Sequence, residues 1–175
     1  MFRLSTLALI LLFQTNLCSQ FDTTAVKTIE GITDKMIELI SMDIGEERDW
    51  DEYRNLFLPT AQKMSIRKTR DGQERMSVMN IEEFVRNVGP LYPRDGFEEY
   101  AIGLTVNEFN GIAVVFQSFY CKNLTGTYEK RGINSYQLVY LNDRWWIAST
   151  LFTNESDATP LPDKYLFEKY QEGNN

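Results

Sequence analysis

The stretch 100–121, YAIGLTVNEFNGIAVVFQSFYC, decides the fold. Asn110 and Gly111 make a two-residue hairpin turn, because both tolerate positive φ. Pairing outward from that turn sets Phe109 beside Ile112, Val106 beside Val115, Leu104 beside Gln117 and Ile102 beside Phe119. One face then carries Tyr100, Ile102, Leu104, Val106, Ala113, Val115, Phe119 and Cys121, an apolar face with Gln117 as its one polar member. The other face carries Gly103, Thr105, Asn107, Val114, Phe116, Ser118 and Tyr120, a mixed aromatic and polar set.

A second hairpin follows, turning at Asn142 and Asp143. Its pairing predicts Tyr140 with Trp145, Leu138 with Ile147 and Tyr136 with Ser149, all on one face. Ser135, Gln137, Trp146 and Thr150 fall on the other face.

Upstream the hydrophobic period is 3.6 instead of 2. Val26, Ile29, Met36, Ile37 and Ile40 predict an amphipathic helix over about 24–41. Asp49 predicts the cap of a second helix, with Asp51 and Glu52 at its positive dipole end and Pro59 as its stop. A short strand over about 63–68 and a turn at Asp71 and Gly72 come next. Asn80 with Glu83 reads as a cap for a third helix, carried by Ile81, Phe84, Val85 and Val88 and stopped by Gly89 and Pro90. Asp163 is expected to cap a short helix in the tail. Helices first and antiparallel strands after them make an α+β domain. The expected form is three N-terminal helices packed on a curved, mostly antiparallel sheet.

The 175 residues suit one domain with a sizeable core. There is no histidine, so no His base, no His-activated nucleophile and no His metal ligand. No Cys/His cluster or Gly-rich phosphate loop appears, and no cofactor is expected. A formal charge of −7 argues against nucleic acid as a partner.

The N-terminus has the layout of a secretory signal peptide. Arg3 precedes the mostly apolar run 4–13, and small and polar residues follow it. The run is too short to span a bilayer. Cleavage after Ser19 is expected, giving a secreted or periplasmic domain over 20–175; lipid anchoring at Cys18 is the rival outcome. Cleavage leaves Cys121 as the only cysteine, with no intramolecular disulfide and a buried thiol as its expected state.

The order of elements and several local stretches resemble the nuclear transport factor 2-like superfamily, the cone-shaped fold shared with SnoaL-like polyketide cyclases and ketosteroid isomerases. The stretches are 49–61 (DWDEYRNLFLPTA), 112–119 (IAVVFQSF), and 132–139 (GINSYQLV) followed by 144–147 (RWWI). The last pair, 132–139 and 144–147, with Pro160, Pro162 and Tyr165 beyond it, most resembles exported bacterial members. The resemblance covers residues 22–170 and implies a pocket inside the cone and dimerisation through the outer sheet face. Ser135, Gln137, Trp146 and Thr150 would supply that face in a homodimer.

Catalytic members place acid and base groups inside the cone. The lack of histidine excludes a His–Asp arrangement, and other arrangements need carboxylates in mid-strand on the core face. None is found: Glu98 and Glu99 open their strand, Glu108 sits at a hairpin tip and Asp143 in a turn. No catalytic residue is therefore expected. An unpaired buried amide costs about 1–3 kcal/mol, so Gln117 is either paired or lines a wet cavity. Tyr100, Tyr136, Asn134 and Ser149 are the expected companions of Gln117, either as a pocket for a small apolar or amphipathic ligand or as a hydrogen-bonded core layer. Binding without catalysis is the first expectation. An enzyme of the SnoaL-like type and a protein-interaction module are the alternatives.

Overall fold

A computed structural model describes residues 23–69 and 71–167. The segment 1–19 expected to be a signal peptide, with Cys18, lies outside these residues, as does the end of the tail.

A 3-10 turn at Ala25–Lys27 leads into α1 (Ile29–Ile40). The hydroxyl of Thr28 caps α1 by accepting the N–H of Gly31. Ile29, Ile32, Met36 and Ile40 lie on one stripe and are buried. Burying each such side chain contributes about 1.5–3 kcal/mol. α2 (Trp50–Arg54) is capped by Asp49, as expected, but is only one turn long. The chain is already extended at Phe57, where β1 (Phe57–Lys68) begins. Pro59 therefore sits inside a strand and does not end a helix. It lies in the irregular stretch between the pairs Phe57–Ile147 and Gln62–Ser149, where its missing N–H costs no ladder bond.

β2 (Glu74–Asn80) returns antiparallel to β1 around Gly72, whose φ is +80°. The sequence reading has no counterpart for β2, because its side chains are mostly exposed and give no core pattern. α3 (Ile81–Asn87) carries the expected capping box, with Asn80 and Glu83 bonding each other's backbone N–H. After Gly89 and Pro90 the chain makes one more turn of helix, α4 (Leu91–Asp95). Among the described residues the helical layer is thus one α-helix of 12 residues and three short α-helical pieces, not three full helices.

β3 (Glu98–Phe109), β4 (Ile112–Lys122), β5 (Glu129–Leu141) and β6 (Arg144–Asn154) are the two expected hairpins. Asn110, Gly111, Asn142 and Asp143 all have positive φ, as such turns require. The six strands form one curved sheet in the order β2-β1-β6-β5-β4-β3. All neighbours are antiparallel except β1 and β6.

Both hairpins keep the expected register near their turns and lose it farther out. On β3, Ile102 is an extra residue between the pairs Ala101–Phe119 and Gly103–Ser118. On β6, Ala148 is an extra residue between the pairs Gln137–Ser149 and Leu138–Ile147. Side chains alternate with period 2, so each bulge exchanges the two faces beyond it. Ile102 turns outward and is buried with Leu161 and Leu166 of the tail. The tail crosses the outer face at Gly103, where any Cβ would meet the carbonyl oxygen of Tyr165. Ser118 donates a hydrogen bond to that same oxygen at 2.6 Å. The tail itself forms a 3-10 turn at Asp163–Tyr165. The main core lies between α1, α2, α3 and the concave side of the sheet.

Candidate functional site

The concave side is incompletely filled. A cavity of about 630 Å³ opens among α1, α3, α4 and the sheet, with mostly apolar walls that include Met36, Phe84 and Phe119. Lys63 of β1, Glu99 of β3 and Asn134 of β5 bring polar groups to it.

Glu99 is inside because of the bulge at Ile102. It pairs with Cys121, whereas Tyr100 pairs with Tyr120 on the outer face. β3 is an edge strand, and Ser41 at the end of α1 occupies its free edge. The Glu99 N–H donates to Ser41 Oγ at 3.1 Å, and Ser41 Oγ donates to the Glu99 carbonyl at 3.3 Å. A bridge between Met42 and Phe97 fixes the same junction. The carboxylate accepts a hydrogen bond from Asn134 Nδ2 at 2.9 Å. Protein packs around the carboxyl, and part of its surface faces the cavity. Burial pushes it up to about 7, against the opposing effects of Asn134 and the positive charge of Lys63.

Lys63 lies across the parallel ladder from Thr150. It is 6% exposed. Its ammonium stands 4.4 Å from the Phe84 ring centre, 5.6 Å from that of Tyr53 and 5.7 Å from that of Phe57. No ion pair joins it to a carboxylate among the described residues. Burial brings it down to about 8, with Glu99 opposing that effect. The hydroxyls of Tyr53 and Thr150 are buried without a hydrogen-bond partner among the described residues. Cys121 also reaches the cavity, but burial pushes its thiol up to about 12, so it stays protonated.

The expected pocket set divides. Gln117 and Tyr136 are both buried on the concave side. The Tyr136 hydroxyl donates to Gln117 Oε1 at 3.0 Å, and Gln117 Nε2 donates to Asp34 Oδ1 at 3.2 Å. Gln117 is thus a paired core amide, beside a second recess that Asp34 and Glu99 also line. Asn134 lines the main cavity. Tyr100 does not belong with them: it is 44% exposed and stacks on Tyr120 with ring centres 5.1 Å apart. Ser149 is also on the wrong face, because the bulge at Ala148 pairs it with Gln137, to which it donates a hydrogen bond at 2.9 Å.

The same slip corrects the expected outer face. Ser135, Gln137 and Trp146 stay on it, but Thr150 pairs with Tyr136 and is buried on the concave side. Trp146 is covered in part by Arg144, stacked 3.9 Å from its ring centre, and its Nε1 donates to the Leu141 carbonyl.

The sequence reading missed Glu99 and Lys63. Gly103 was the available signal for Glu99, since glycine inside a strand often marks a bulge. For Lys63 the pattern pointed the other way. Alternation puts Met64 and Ile66 on one face of β1 and Lys63 and Ser65 on the other, yet Lys63 and Ser65 are the buried pair.

No protein-family model matches the chain, and no curated protein matches it. Solved structures do resemble it. A candidate scytalone dehydratase from Novosphingobium aromaticivorans superposes with a TM-score of 0.57 at 10% identity, over 73% of this chain and 82% of that one. A protein of unknown function with a cystatin-like fold from Nostoc punctiforme gives 0.53 at 10% identity, over 75% and 90%. A nuclear transport factor 2-like protein of unknown function from Silicibacter pomeroyi gives 0.51 at 11% identity, over 71% and 90%. The chain has this nuclear transport factor 2-like, cystatin-like fold.

Proposed function

We propose that the cone binds a small, largely apolar molecule bearing a polar group, and that Glu99 moves a proton on it. The observation that carries this reading is the Glu99 carboxyl, held by Asn134 in the wall of an apolar cavity. The expectation of binding without catalysis rested on the absence of any inward carboxylate, and Glu99 removes that ground. A group that titrates near neutrality both takes and returns a proton at working pH. Lys63 adds a positive charge to the same cavity, which favours a substrate that gains negative charge as it loses its proton. An isomerase, cyclase or hydratase fits these parts.

The test is proton exchange. Cyclohexanone and 2-octanone, incubated with the protein in deuterated water and followed by NMR, should exchange their α-protons faster than in buffer. Glu99→Gln should abolish the excess while leaving binding in place. Equal exchange with both proteins, or none above buffer, rejects the reading.

We also propose export through the segment 1–19, and a homodimer built on the outer sheet face. Support for the dimer comes from the exposed Met76, Val78, Val114 and Leu151 around Ser135 and Gln137.

A further inference from the structure

Lysine is rarely buried without a partner, because an ammonium loses its hydration there. Among the described lysines, Lys27, Lys35 and Lys122 are ion-paired with carboxylates. Lys63 is the buried one, without a carboxylate ion pair among the described residues, and it has aromatic faces about it and the cavity in front. Aromatic rings satisfy a cation weakly and offer a neutral amine a dry site. We propose that Lys63 captures carbonyl compounds, condensing through Nζ with an aldehyde or ketone in the cavity to form an imine.

This rests on the reading that the cone admits small molecules, and it names their class. The Nζ lone pair bonds to the carbonyl carbon as the C=O π pair moves to oxygen. The oxygen takes the proton of the Glu99 carboxyl, and the carboxylate then removes a proton from nitrogen, leaving a carbinolamine. Glu99 returns that proton to the hydroxyl, which departs as water while the nitrogen lone pair closes the C=N bond. One water is released, no electrons are exchanged with another reagent, and the product is an iminium facing the Glu99 carboxylate. Desolvated lysines in apolar surroundings are suited to this step. At pH 7.5, a lysine brought down to about 8 has roughly 200-fold more neutral amine than a solvated lysine.

The experiment incubates the protein with 2-octanone or heptanal, adds sodium borohydride, and reads intact mass and a peptide map. The expected result is a mass gain of one ligand less one oxygen, located on Lys63 and formed at least tenfold faster than at any other lysine. Because the map is made on the unaltered protein, it does not depend on a variant that folds. Lys63→Met should remove the label, and Glu99→Gln should slow its formation. Labelling spread evenly over surface lysines, or no label, overturns the inference. α-Proton exchange without a label on Lys63 leaves the Glu99 reading standing and rejects this one. A label without exchange does the reverse.

Discussion

Replacing Lys63 with methionine should make the protein more stable at neutral pH, and the gain should vanish in alkali. In the fold the ammonium is held down to about 8, against 10.5 for the free side chain. At about 1.4 kcal/mol for each tenfold change in proton affinity, the buried charge costs the fold about 3 kcal/mol. Contacts with the Phe84, Tyr53 and Phe57 rings return part of that, at about 0.5–1 kcal/mol for a cation–π pair. The net expectation is a gain of about 2 kcal/mol for Lys63→Met at pH 7, since methionine fills the same space without a charge. The sign depends on pH in a definite way. Below about 8 both the folded and unfolded chains carry the charge, and the whole cost is felt. Between about 8 and 10.5 the unfolded lysine is still protonated while the folded one is neutral, so the unaltered protein gains stability as pH rises. The gap between the two proteins should therefore close across that range. Urea unfolding of both at pH 7, 9 and 10.5 measures it, because tyrosine and cysteine titrations are common to both and cancel. A destabilised variant at pH 7, or a gap that stays level, would refute the reasoning.

Three further outcomes are expected. Glu99→Gln should be increasingly more stable than the unaltered protein from pH 4.5 to about 7, by about 3 kcal/mol in all, because the unfolded carboxyl ionises in that range while the folded one stays protonated; acid-range urea melts follow it. Tyr136→Phe removes the buried bond to Gln117 and should cost about 1–3 kcal/mol by the same method, with no pH dependence near neutrality. Gly103→Ala should drive the tail off the outer face, at a cost of about 1–3 kcal/mol, and expose residues 161–167 to limited proteolysis.

Much of the site was legible in fragments. The hairpin turns, the caps of α2 and α3, and the inward placement of Gln117, Tyr136 and Asn134 follow from local chemistry: positive φ at Asn and Gly, side-chain oxygens next to free N–H groups, and period-2 alternation. Errors begin at the two bulges. One extra residue at Ile102 moved Tyr100 out and Glu99 in, and one at Ala148 exchanged Ser149 with Thr150. Gly103 hinted at the first bulge; nothing in the chain near Ala148 marks the second. β2 was missed because an edge strand with exposed side chains has no hydrophobic alternation to read.

The sequence by itself determined the α+β class, the two long hairpins and their turns, and the exclusion of histidine chemistry. Those depend on composition and on interactions a few residues apart. Only the tertiary structure decided what the cone contains. Lys63 and Glu99 lie on strands far apart in the chain, and each faces inward for a reason that is not local. Lys63 follows the parallel pairing of β1 with β6, and Glu99 follows a bulge stabilised by the tail packed on Ile102 and by Ser41 on the free edge of β3. Alternation is a relative signal, and long-range packing selects which of its two phases is buried.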